Sequence, residues 1–123
     1  MVEWGDDVTR KQKGVVSLRQ RAWLFVVPSR LGYTVRTTRG YWALITAVKH
    51  PTLLGQERVV IETLTNPDQV RVSKTDASVF LFYRKMGRKF LCVVTKRATP
   101  AVGFVMTAYF TDKVKEGQLA WKR

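Results

Sequence analysis

The hydrophobic period of this chain changes once, near Asp68, and that change constrains the fold more than any other feature. Before it, Tyr41, Leu44, Ile45 and Val48 fall at i, i+3, i+4 and i+7, one apolar stripe at helical spacing. Thr37 or Thr38 can cap this helix, its side-chain oxygen accepting from a backbone N–H that has no partner in the first turn. The helix should stop near Lys49, because His50 precedes Pro51 and a residue before proline is driven out of the helical region. A second helix is expected from Thr52 or Leu53, burying Leu54, Val60, Ile61 and Leu64 and broken by the turn residues at 65–68. His50 then sits in a tight corner between two helices.

After Asp68 the runs 70–74, 79–85, 89–96 and 103–110 read as strands, rich in β-branched and aromatic residues and separated by turn-rich links. The links are short, so neighbouring strands should pair antiparallel as a meander, with a hairpin tip at 85–88. Alternation along 103–110 puts Phe104, Met106, Ala108 and Phe110 on one apolar face, expected to meet the core. Val105, Thr107 and Tyr109 take the other face, with Thr111 just beyond; that face is either an exposed edge or the floor of a site. Residues 1–14 are polar and read as a loose lead. The segment 15–35 is either a strand, a turn and a second strand, or an irregular arm whose Trp23 and Phe25 pack onto the main body. At 123 residues the chain suits one domain. The expected fold is α+β: an N-terminal arm or β-hairpin extension (1–34), then a domain (35–123) with two helices on one face of a four-stranded antiparallel sheet.

Charge narrows the function. Lys and Arg total 22 against 9 Asp and Glu, a net charge of +13, which favours a polyanion as partner. The surplus is clustered. Val8 to Gln56 holds no acidic residue but carries Arg10, Lys11, Lys13, Arg19, Arg21, Arg30, Arg36, Arg39 and Lys49. The stretch from Ala77 to Thr111 is also free of acid and carries Arg84, Lys85, Arg88, Lys89, Lys96 and Arg97. Arg36, Arg39, Lys49, Lys85, Arg88, Lys89 and Arg97 are the expected nucleic-acid contacts. Trp4, Trp23 and Trp121 could stack on bases, although packing is the favoured role of the last two. No apolar run approaches about 18 residues, so no membrane span is expected. With one cysteine, Cys92, and one histidine, neither an internal disulfide nor a Cys/His zinc site can form. Any chemistry is expected to run without metal or cofactor, and the missing secretory signal points to the cytoplasm.

His50 is the natural acid or base, histidine being the side chain that titrates near neutrality; the bland alternative is a capping or core residue. Arg84 and Lys96 end their strands, where they either reach solvent or cradle a phosphate. Strands 79–85, 89–96 and 103–110 hold no carboxylate, so a carboxylate base would come from Glu57, Glu62 or the flanks of the first strand. His50, Arg84, Lys96, Thr107 and Tyr109 together supply what metal-free RNA cleavage needs. The ribose 2′-oxygen attacks phosphorus, which takes a base, cationic stabilisation of the phosphorane and an acid for the leaving 5′-oxygen.

Several segments carry a resemblance: Trp42, then His50-Pro51 with Leu53 and Gly55, ETLTNPDQVRVS at 62–73, LFYRK at 81–85, CVVTK at 92–96, and GFVMTAYFTDKVKEG at 103–117 with Trp121. In this order they resemble the phage and bacterial nucleases of the barnase–EndoU–colicin–RelE-like superfamily, in its small phage-associated branch. The resemblance implies helices on an antiparallel sheet and a metal-independent ribonuclease, often a toxin with a neutralising acidic antitoxin or immunity protein. It implies His50 as the acid–base residue, Arg84 and Lys96 as phosphate ligands, and Thr107 and Tyr109 as the remaining site groups. Two features depart from it: residues 1–34 have no counterpart, and Thr52 stands where the branch usually has Glu after His-Pro. The expected function is a metal-independent endoribonuclease acting through the 2′-hydroxyl. The alternatives are a non-catalytic nucleic-acid-binding module and a docking face for an acidic protein.

Overall fold

The computed structural model describes residues 18–114 and 117–123, so the reading of 1–14, with Trp4, lies outside the described residues. In chain order the elements are α1 (Leu18–Arg21), β1 (Trp23–Pro28), β2 (Thr34–Thr38), α2 (Arg39–Leu44), a π turn (Ile45–Lys49), a 3-10 turn (Pro51–Leu53), α3 (Glu57–Thr65), β3 (Gln69–Val72), β4 (Val79–Met86), β5 (Lys89–Arg97), β6 (Val102–Thr111) and β7 (Gln118–Lys122). The expected meander is present: β3, β4, β5 and β6 pair antiparallel in sequence order.

The expected four-stranded antiparallel sheet is nevertheless too small. The sheet has seven strands in the order β1-β2-β6-β5-β4-β3-β7, and it is mixed. The α+β class holds; the strand count and the purely antiparallel pairing do not. A free meander would leave the backbone of β6 and β3 unpaired at both edges. β2 covers one edge, running parallel to β6 from Thr34↔Val102 to Arg36↔Phe104. β7 covers the other, antiparallel to β3. Both partners lie far along the chain from the strand they join, where local periodicity carries no signal. Of the segment 15–35, the described residues 18–35 resolve in favour of the strand pair, since β1 and β2 form a hairpin in the same sheet. Phe25 and Tyr33 share one core with Val35.

The helices also depart from their apolar stripe. Thr38 caps α2, accepting from the Tyr41 N–H at 3.1 Å. Trp42, Ile45 and Thr46 are buried, whereas Leu44 is exposed and Val48 is 70% exposed. Trp42 sets the rotation of α2 by burying the largest apolar side chain and donating its indole N–H to Glu57 at 3.2 Å. Past Leu44 the helix widens, closing with the His50 N–H on the Ile45 carbonyl at 2.7 Å, and this shifts the phase. The expected second helix splits at Gly55, whose φ of 79° is a left-handed conformation that favours glycine. Leu53 is therefore buried before the break, Leu54 is left exposed, and α3 starts only at Glu57.

A bulge overturns the alternation read along β6. Val94 pairs with Thr107 but Thr95 pairs with Val105, so Met106 is an extra residue. Val105 and Ala108 both face the helices, and Phe104 points away at 44% exposure. The main core lies between the sheet and Trp42, Ile45, Leu53, Val60 and Leu64. A smaller cluster, Val79, Leu81, Tyr83, Cys92 and Val94, occupies the opposite face, packed against Phe90, Met106, Tyr109 and Val114. Among the described residues no helix covers this second face, which we call the open face.

Tyr33 anchors the main core. It is fully buried, its hydroxyl lies 2.7 Å from Thr95 Oγ1, and Arg97 sits over its ring at 5.1 Å. Burial pushes its pKa up to about 12 against the opposing pull of the Thr95 hydrogen bond and the Arg97 charge. The folded value exceeds the unfolded one, so the neutral-tyrosine contribution is intact below about pH 10 and is lost as pH rises towards 12, about 2–3 kcal/mol in all. Urea midpoints measured between about pH 9 and about pH 12 are expected to fall steeply in the wild type and less steeply in Tyr33→Phe.

Candidate nucleic-acid interface on the open sheet face

Directly paired residues share a face of a sheet, which allows the open face to be read from the register. One row crosses five strands: Val26 opposes Arg36, Arg36 opposes Phe104, Phe104 opposes Lys96, and Lys96 opposes Val79. Trp23 lies on the same face, opposite Thr38, 47% exposed and with the Arg36 guanidinium 4.5 Å from its ring centre. The row thus alternates cations with apolar groups, of which Val26 and Phe104 are exposed to solvent and Val79 is buried. Lys96 is not a bare cation, because its Nζ donates to Asp76 at 2.8 Å. That contact, followed by two hydrogen bonds from Ser78, holds the Asp76 carboxyl well below the usual carboxylate range.

Further along β6, Thr107 and Tyr109 form one side of a concavity of about 400 Å³ with Val79, Leu81, Val94 and Lys74. His50, placed by the end of the π turn and by Pro51, lies beside it with its ring 5.7 Å from that of Tyr109. Burial first, then the neighbouring Cys92 thiol and Tyr83, keep the Tyr109 hydroxyl above the ordinary phenol range. At neutral pH it is a hydrogen-bonding group and not a base. Thr107 Oγ1 is buried with no hydrogen-bond partner among the described residues.

The structure brings together His50, Thr107 and Tyr109, with Lys96 and Asp76 across the same face. It sets Arg84 apart. Arg84 faces the helices and donates to the Asn66 carbonyl at 2.6 Å. It lies five residues along β4 from the partner of Lys96, about 17 Å at the usual strand rise. Arg84 and Lys96 therefore share no phosphate cradle. Among the expected contact residues, Arg36 and Lys85 lie on the open face, and Arg88 and Lys89 are exposed at the hairpin tip. Arg39 and Lys49 are exposed on α2 and the π turn. Arg97 faces the helices, with its guanidinium on the Pro100 carbonyl at 2.6 Å. Glu57 and Glu62, considered as bases, belong to α3 on the helix side of the sheet.

Sequence reasoning favoured packing over stacking for Trp23 and put Phe104 in the core, and it overlooked Lys74 as a residue of the concavity. Alternation in 34–38 could have placed Arg36 outward and Thr37 inward; nothing local announces the bulge that turns Phe104 out. Among the described residues no helix is long and apolar enough to cross a membrane. No family model, curated protein or solved structure matches the chain.

Proposed function

We propose that this chain binds RNA on the open sheet face. The observation that carries the reading is the cross-strand row of Arg36, Phe104 and Lys96 beside Trp23, on a face without a helix, in a chain of net charge +13. Cations neutralise phosphates and release their counterions, while exposed aromatic rings accept base faces. Neither role needs a metal or a carboxylate. The test is fluorescence anisotropy with a labelled, unstructured RNA at about 50 mM salt, where saturable binding tighter than about 10⁻⁶ M is expected. Folded protein that leaves the RNA free under those conditions would sink the reading.

A second reading, cleavage of that RNA, is favoured by the position of His50 against Tyr109 at the concavity that also holds Thr107 and Lys74. It draws further on the resemblance to the ribonuclease superfamily. In this reading His50 accepts the 2′-hydroxyl proton as the 2′-oxygen bonds to phosphorus. The bond from phosphorus to the 5′-oxygen breaks, that oxygen takes a proton from water, and the products are a 2′,3′-cyclic phosphate and a 5′-hydroxyl. In this reading Lys74, which lines the concavity, supplies the positive charge for the phosphorane. Incubation with RNA in excess EDTA is expected to yield cyclic-phosphate ends, and His50→Ala to slow their formation about 10²–10⁴-fold. Equal cleavage by both proteins, or none by the wild type, would leave the binding role alone.

A further inference from the structure

The parallel contact of β2 with β6 ends at Arg36↔Phe104. Beyond it the two strands part, β2 passing through Thr38 into α2 while β6 bulges at Met106. The Tyr41 hydroxyl holds the fork open by donating to the Met106 carbonyl at 2.6 Å. The result is a cleft of about 330 Å³ walled by Trp23, Arg36 and Phe104, with Thr37 and Tyr41 also in its lining. Thr37 is buried and, opposite Phe25, turns its side chain to the helix side of the sheet.

We propose that this cleft is a nucleobase site, and that the ligand of the open face is consequently a single-stranded nucleic acid. The inference rests on the RNA-binding reading and specifies its substrate class. Two aromatic rings and a planar guanidinium offer stacking surfaces to a flat, polar-edged ring. Bases in a duplex are stacked on one another and have no free face to give such a site; unpaired bases do. An apolar peptide side chain would use the rings but not the surrounding charge, and an acidic one the charge but not the rings, whereas a nucleotide chain answers both through its bases and its phosphates.

The test compares a labelled, unstructured RNA of about 12 nucleotides with a duplex of the same length, by anisotropy against wild type, Trp23→Ala and Phe104→Ala. The wild type is expected to prefer the single strand by about tenfold or more, and the two aromatic truncations each to lose about 5- to 100-fold on it. Their affinity for the duplex and their salt slope should stay close to wild type, since no phosphate contact is removed. A wild type that binds single strand and duplex equally, or aromatic variants that keep full single-strand affinity, would overturn the nucleobase site while leaving RNA binding intact. A folded wild type that binds neither probe would overturn the underlying reading, and the site with it.

Discussion

Raising the salt from about 50 mM to about 200 mM is expected to weaken binding of single-stranded RNA by roughly 300-fold, the result of a log–log slope near −4. That slope follows if about six cations each neutralise one phosphate and release its counterion. The structure indicates which cations can do so. Arg36 and Lys85 project from the open face, Arg88 and Lys89 are exposed at the hairpin tip, and Arg39 and Lys49 are exposed on α2 and the π turn. Arg36→Ala or Lys85→Ala should therefore reduce the magnitude of the slope by about 1. Arg84→Ala and Arg97→Ala should not change it, because both guanidinium groups face the helices and donate to the carbonyls of Asn66 and Pro100. A wild-type slope shallower than about −2, or one that falls when Arg84 is removed, would contradict this assignment of the binding face.

Gly103→Val is expected to cost about 3 kcal/mol or more of stability, beyond what overpacking usually costs, because the side chain has nowhere to go. A Cβ at position 103 would lie 2.7 Å from the Lys96 carbonyl oxygen and 2.9 Å from the Tyr33 ring. The carbonyl belongs to the β5 backbone. The ring is held by its hydroxyl on Thr95 and by Arg97 above it. Neither neighbour can yield without opening the β2–β6 contact, which joins the β1–β2 hairpin to the rest of the sheet. Chemical denaturation should show the lost stability, and RNA affinity should fall with it, since Trp23 and Arg36 ride on that hairpin. A Gly103→Val protein as stable as wild type would show that the hairpin is not seated as described.

Much of this architecture was legible because its causes are local. Runs of β-branched and aromatic residues around Gly87 and Arg88 form a hairpin whatever surrounds them, and Pro51 ends the preceding helical segment at His50 through its own ring. Thr38 caps α2 because only the neighbouring backbone is needed. Illegible features depend on groups far apart in the chain. The bulge at Met106 answers to β5 across the sheet and to the Tyr41 hydroxyl, and it reverses which residues of β6 are exposed. The outward face of Phe104 and the concavity beside Thr107 and Tyr109 follow from it. The separation of Arg84 from Lys96 has a simpler origin: charge type and strand end can be read from the residues, but facing requires the register.

By itself, the amino-acid sequence determined the α+β class, the meander of β3 to β6, the corner that places His50, and a charge that calls for a polyanion. Each of these rests on short-range sterics, periodicity or a sum over residues, so no partner strand had to be known. Only the tertiary structure decided that the sheet has seven strands, that β2 pairs parallel with β6, and that their divergence leaves a cleft between Trp23 and Phe104. Those outcomes come from backbone edges seeking hydrogen bonds from distant segments, and from Tyr33 claiming the space that Gly103 leaves empty.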